Sequence, residues 1–189
     1  RTRVVIAGGG VLYSGASEAL RTFAETHGVP VMETQAGKSS LRHDHALNMG
    51  AVGVTGSSAS NGLAREADVV LAVGTRLQDF TTGSWALFQG AGVKIVALNA
   101  QAFDAGKHGA LPLVADAKAG IETLAKELAG WKSPAAWLEK ARTGKAAWLR
   151  DAADVTRATN AVPSDAQVIG AVQRVFGEDA ILVCASGGL

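Results

Sequence analysis

Short apolar runs alternate with amphipathic segments along most of this sequence. Six runs are rich in valine, isoleucine and leucine and are predicted to be β-strands, at residues 3–7, 29–33, 68–73, 93–99, 110–114 and 180–185. Helices are predicted between several of them, at about 15–27, 58–65 and 116–129, with Ser14 and Asp116 as the caps of the first and last. This alternation predicts an α/β fold, a doubly wound, Rossmann-like parallel sheet of about six strands with helices on both faces.

Glycine-containing loops follow three of the predicted strands. Gly8, Gly9 and Gly10 end the first strand, Gly37 and Lys38 follow the second, and Gly74 and Arg76 follow the strand at 68–73. Open parallel sheets bind ligands at the carboxyl ends of their strands, and the guanidinium of Arg76 suits a phosphate or a carboxylate. The structural alternative is that the glycines only turn the chain sharply and that Arg76 forms an ion pair or tethers a loop.

Two nucleotide-binding motifs are incomplete in these loops. Residues 36–39 resemble the end of a phosphate loop, but Met32 stands where that motif needs its first glycine. Tyr13 stands at the third glycine of the dinucleotide-binding fingerprint. Glu33 lies where such a domain places its ribose-binding acid, and the alternative for it is a solvated carboxylate at the end of a strand.

Composition and charge exclude several classes of function. The 189 residues carry 18 basic and 17 acidic side chains, for a net charge of +1, so no nucleic-acid-binding face is expected. No apolar run is long enough to span a membrane, and the single cysteine, Cys184, cannot form an internal disulfide, which together favour a cytoplasmic location. His43 and His45 lack a third ligand at useful spacing, so no metal site is predicted.

The composition changes after Gly130. Residues 131–162 are alanine-rich, charged and predicted to form a helical linker in which Trp137 and Trp148 share one face. A further helix, from Ser164 to about Phe176, and the strand at 180–185 would then begin another domain at 163–189. Residues 1–130 are the predicted central domain, and the chain is expected to be a segment of a longer polypeptide.

Several strings occur in an order that is typical of one enzyme family. They are Gly37-Lys38, Asp44-His45 with Asn48 and Gly50, and the run from Asp68 to Arg76. This order resembles the central domain of thiamine diphosphate-dependent enzymes of the acetolactate synthase group. The longer strings at 33–39, 53–58 and 74–84 are similar to those of the trihydroxycyclohexanedione hydrolases of myo-inositol degradation.

The resemblance implies how the chemistry is divided among domains. In this family an amino-terminal domain carries the activating glutamate and a carboxy-terminal domain binds thiamine diphosphate and magnesium, so the resemblance assigns no catalytic residue and no metal ligand to this chain. Some central domains hold FAD, which the hydrolase chemistry does not need. The corresponding cofactor-binding positions, a vestigial nucleotide crevice, are Gly8, Gly9, Gly10, Gly37, Lys38, Gly74 and Arg76.

Three hypotheses about function follow from the sequence. The favoured one is a non-catalytic scaffold domain of a ring-opening hydrolase that yields 5-deoxyglucuronate, with the flanking domains of the same chain as partners in a homo-oligomer. The second is the central domain of an acetolactate synthase-type enzyme, which joins two pyruvate-derived units. The third is a stand-alone domain that binds FAD or NAD.

Overall fold

Six parallel strands form one sheet in the computed structural model, which describes residues 2–159, 161–177 and 180–183. The strands are β1 (Arg3–Ala7), β2 (Val31–Glu33), β3 (Asn48–Ala51), β4 (Val69–Val73), β5 (Lys94–Asn99) and β6 (Leu111–Val114). Their order across the sheet is β3-β2-β1-β4-β5-β6 and every pairing is parallel. The order reverses between β1 and β4, which is the topology of a doubly wound sheet and confirms the predicted fold class.

Helices lie in the connections between the strands, and further helices come after the last strand in the chain. They are α1 (Gly9–Tyr13), α2 (Ser17–His27), α3 (Ser58–Glu66), α4 (Asp79–Thr82), α5 (Ala102–Ala105), α6 (Ala117–Glu127), α7 (Ala135–Val155) and α8 (Asp165–Phe176), with a 3₁₀ turn at Lys107–Gly109. Asp116 caps α6 as predicted, because its side chain accepts a hydrogen bond from the Ala119 amide at 3.1 Å. No helix in the described ranges is long and apolar enough to cross a membrane.

The central strands β1 and β4 are apolar on both sides, and helices cover both faces of the sheet there. One core cluster joins Val5 and Val31 of the strands to Leu20 of α2 and Ile121 of α6. The other contains Val4, Ile6 and Val70 together with Leu63 of α3 and with Trp137 and Ala141 of α7. The indole N–H of Trp137 also donates a hydrogen bond to the Arg3 carbonyl at 2.9 Å, which attaches α7 to the first strand.

The sixth strand lies elsewhere than predicted. Residues 180–183 are exposed and belong to no strand, and 184–185 lie outside the described residues. The sixth strand is instead β3, whose sequence Asn-Met-Gly-Ala contains no β-branched residue. Its place is specified by tertiary contacts, because Asn48 is buried and bonds through its amide to the carbonyls of Leu41 and Arg42.

The cap predicted for the first helix was also wrong. Ser14 caps no helix: its hydroxyl donates to the Gly10 carbonyl at 2.6 Å, and the helix predicted from residue 15 begins at Ser17 with Ala16 at its N-cap position. The short helix α1 begins within the predicted glycine turn, and Gly15, which has a φ of +60°, separates it from α2.

The described chain forms two compact units, residues 1–145 and 146–189. In the second unit Ser164 caps α8 as predicted and forms a reciprocal capping box with Gln167. Gly170 of α8 packs on the end of α7, because a Cβ there would lie 2.2 Å from the Thr156 carbonyl oxygen, which also accepts from Arg174. The domain borders near 130 and 162 remain predictions.

Candidate functional site

The loops after β1 and β4 meet backbone to backbone at the carboxyl edge of the sheet. The Gly8 amide donates to the Val73 carbonyl at 2.8 Å, and the Gly10 amide donates to the Gly74 carbonyl at 3.0 Å. A Cβ on Gly8 would lie 2.3 Å from the Gly74 oxygen, and one on Gly10 would lie 2.6 Å from the Gly74 Cα. Gly74 itself has a φ of +59°, in the left-handed region. These predicted site residues therefore lie together, in direct contact with one another.

The loop after β2 closes on the same place. The Thr34 amide donates to the Ala7 carbonyl at 3.0 Å, and a Cβ on Gly37 would lie only 2.0 Å from that carbonyl oxygen. Gly9 is looser, since its Cβ would lie 3.2 Å from the methyl group of Ala36. The close approach of the three loops thus requires glycine at 8, 10, 37 and 74.

The two predicted cations lie at this edge but are not part of the close contact. Lys38 and Arg76 are exposed, and neither forms an ion pair with another residue of the described ranges. No carboxylate of these ranges lies within ion-pair distance of Arg76, so the ion-pair alternative for this residue is not supported. Both side chains remain available to a group outside the described chain.

Glu33 ends β2 beneath this edge and is buried rather than solvated. Only 6% of it is exposed, and its Oε1 accepts a hydrogen bond from the Leu41 amide at 3.1 Å. Burial raises the pKa of the Glu33 carboxyl, although the hydrogen bonds from Leu41 and Asn48 and the charge of Lys38 oppose that shift. The solvated-carboxylate interpretation of Glu33 is wrong, and the side chain fixes the loop between β2 and β3.

A small cleft of about 220 Å³ remains beside the packed loops. It is lined by Gly10, Tyr13, Ser14, Gly74, Asn99 and Asp116, among others. The Asn99 side chain in this lining already forms two hydrogen bonds, because its amide donates to the Thr75 carbonyl and accepts from the Gln101 amide. Sequence reasoning did not single out Asn99 as a site residue, although its position at the end of a predicted strand was a usable signal.

The two histidines of the loop before β3, His43 and His45, are held by contacts within the chain. His45 Nε2 lies 3.0 Å from Glu25 Oε1, and its Nδ1 accepts a hydrogen bond from the Leu47 amide at 3.1 Å. The Lys145 ammonium donates to the carbonyls of His45 at 2.6 Å and His43 at 3.3 Å. Within the described ranges no three histidine, cysteine, aspartate or glutamate side chains are grouped so that they could hold a metal ion.

Comparison with known proteins finds relatives over nearly the whole chain. The 3D-(3,5/4)-trihydroxycyclohexane-1,2-dione hydrolases of Clostridium tetani and Geobacillus thermodenitrificans are 34% and 38% identical over 98% of this chain. A hydrolase of the same name from Bacillus cereus is 37% identical over the same share. The chain spans about a third of the length of these relatives, 33%, 32% and 33% respectively.

A family model also matches, over residues 1–124, and that range contains all six strands of the sheet and the loops at its carboxyl edge. The model describes the central domain of thiamine pyrophosphate enzymes. The chain therefore belongs to the family of thiamine pyrophosphate enzyme central domains.

Proposed function

We propose that this chain is the non-catalytic central scaffold of a thiamine diphosphate-dependent enzyme that breaks a carbon–carbon bond. The parent enzyme hydrolyses trihydroxycyclohexanedione, as the names and identities of the relatives support. The product, 5-deoxyglucuronate, is the one that the family resemblance implies. The chain spans only a third of those relatives, so flanking domains of the same polypeptide carry the remaining functions. The assembled parent is a homo-oligomer in the cytoplasm.

The observation that carries the scaffold role is the direct contact of the three loops at the carboxyl edge. In a nucleotide-binding sheet this crevice is left open for the cofactor. Here Gly10 lies against Gly74, and Gly37 lies against the Ala7 carbonyl, so the backbone itself occupies much of the crevice and the cleft beside it measures about 220 Å³. The geometry supports a rigid platform for neighbouring domains.

The side chains available as metal ligands also bear on where the cofactors bind. Magnesium takes oxygen ligands from protein carboxylates and from the phosphates of its substrate or cofactor, and the described ranges offer no group of three histidine, cysteine, aspartate or glutamate side chains. The cleft of about 220 Å³ is small for FAD. We therefore assign thiamine diphosphate and magnesium to the flanking domains and derive no catalytic step from the residues of this chain.

A binding function for FAD or NAD is the second candidate. It is favoured by Lys38 and Arg76, which are exposed cations without an ion-pair partner in the described ranges, at the edge where such cofactors bind. In this case the loops would have to separate, breaking the hydrogen bond from Gly10 to Gly74.

Two proteins measured side by side test the proposed function. The full-length gene product, supplied with thiamine diphosphate and magnesium, should open the cyclic dione, and the 189-residue chain under the same conditions should not. Pyruvate serves as the control substrate. Ring opening by the 189 residues alone, or condensation of pyruvate by the full-length enzyme in place of dione hydrolysis, would contradict the proposal.

A further inference from the structure

Large apolar side chains are exposed on several of the loops at the carboxyl edge. Tyr13 at the end of α1 is 93% exposed, Val54 after β3 is 59% exposed, and Phe80 in α4 is 65% exposed. Isolated exposed apolar residues are common on protein surfaces, whereas a contiguous group marks a place where another surface packs. Contacts between the loops that carry these three residues would place them on one surface.

The loops that carry these side chains contact one another in sequence. The Tyr13 ring and Ala36 both lie beside Gly9, at 3.5 and 3.2 Å from the position of a Cβ there. Gln35, next to Ala36, donates to the Thr55 hydroxyl at 3.2 Å. The Val54 amide, next to Thr55, donates to the Phe80 carbonyl at 2.8 Å. The loops that carry Tyr13, Ala36, Val54 and Phe80 thus contact one another in series, and these four residues are called here the loop surface.

The charges at the loop surface describe its partner. Lys38 and Arg76 are exposed at the same edge and have no ion-pair partner in the described ranges. The acids nearby are Asp79, next to Phe80, and Asp116, which lines the cleft beside Tyr13 and caps α6. A second copy of this surface would bring cations against cations. A partner with apolar side chains and carboxylates fits instead, since arginine pairs well with carboxylates at interfaces.

We infer that the loop surface is the docking site for a flanking domain of the parent polypeptide, one that presents carboxylates to Lys38 and Arg76. The inference rests on the proposed function, and it is supported by the two-thirds of each relative's length that lies outside the matched segment. Binding this domain through four loops that already contact one another would hold it in one orientation.

Photo-cross-linking in the full-length, active enzyme tests this interface. The photoreactive residue p-benzoylphenylalanine replaces Phe80 in one variant and Tyr13 in a second, so a folding defect at one position leaves the other available. Leu111 is the matched control, because it is 62% exposed but lies in β6, the outer strand on the side of the sheet away from β3, level with Val5 in the middle of β1. We expect cross-links from Phe80 and Tyr13 to peptides outside residues 1–189, with yields several-fold above that of the control.

The charge requirement is tested in the same assay. Arg76→Glu should lower the yield from Phe80 several-fold, and Lys118→Glu, at an exposed position of α6, should leave it unchanged. Cross-links only to a second copy of residues 1–189, or yields equal to that of Leu111, would overturn the inference. Because only full-length protein that opens the dione is cross-linked, such a result leaves the proposed function standing.

Discussion

At Gly10 the lack of a side chain is a requirement of packing. A Cβ there would lie 2.6 Å from the Gly74 Cα, a distance that only movement of one loop backbone could relieve. The glycine itself was visible in the sequence, but its contact with Gly74 depends on the pairing of β1 with β4, which no local pattern reveals. The sequence therefore indicated which residues matter at this edge without indicating what they touch.

Gly10→Ala should destabilise the ligand-free protein by about 1–3 kcal/mol, the usual cost of overpacking. Gly62→Ala is the control, because Gly62 lies inside α3 with no atom within 4 Å of its Cβ position, and alanine there should stabilise by about 0.5–1 kcal/mol. Urea unfolding measures both. A Gly10→Ala protein as stable as the parent would mean that the loops are not in contact in solution.

Glu33 has a pH dependence whose sign follows from its burial. Because the pKa of Glu33 is raised above its ordinary value of 4.5, the folded protein binds this proton more tightly than the unfolded chain does. The contribution of Glu33 to stability is thus fully present at pH values below 4.5 and is lost as the pH rises through the folded-state pKa.

Glu33→Gln should therefore match the parent in acid and exceed its stability at neutral pH, since glutamine can still accept from the Leu41 amide without a buried charge. Thermal unfolding across the pH range measures the difference. Glu122→Gln, at an exposed position of α6, controls for the loss of one negative charge. A stability difference that shrinks as the pH rises is the opposite of what burial predicts.

Among the elements, α3 depends on its amino-terminal cap. The Ser57 hydroxyl accepts from the Ser60 amide at 2.9 Å and donates to the Met49 carbonyl at 2.7 Å, so it joins the helix to β3. A serine directly before the helix predicted at 58–65 is a typical N-cap residue. The bond from Ser57 to β3 could not be predicted, because that strand has no sequence signal of its own.

Ser57→Ala should cost about 1–2 kcal/mol of unfolding free energy, the range found for lost helix caps. Ser58→Ala is a close control, because Ser58 is exposed and is the first residue of the helix, and its change should stay within about 0.5 kcal/mol. Chemical denaturation of both variants checks this. Equal effects from the two serines would rule out the cap as the source of stability.

The attachment of α7 to the sheet gives a further prediction. Trp137 is 4% exposed and donates to the Arg3 carbonyl, whereas Trp148 on the same helix is 37% exposed. Trp137→Phe keeps most of the apolar contact but leaves that carbonyl without this donor, and it should cost about 1–3 kcal/mol.

Trp148→Phe is the matched control and should change the unfolding free energy by less than about 0.5 kcal/mol. Differential scanning calorimetry compares the two variants. The eleven-residue spacing placed both tryptophans on one face, yet it could not show that only Trp137 is buried, because that depends on what lies beside each part of the helix. A larger loss at Trp148 would contradict the role assigned to Trp137.

For the whole molecule, periodicity predicted the α/β class and five strands, and these agree with the structure to within a few residues at each end. The order of strands and the place of β3 could not be predicted in this way, because both are set by pairing between distant segments. The same limit applies to the site, where burial of Glu33 results from the 34–41 loop folding over it.

The central claim is that the chain's own backbone fills the crevice at the carboxyl edge and leaves no nucleotide site there. Calorimetric titration of the purified protein with FAD, and separately with NAD, tests this claim most directly. We expect no saturable heat with either cofactor. Stoichiometric binding of FAD or NAD with a micromolar Kd would contradict it.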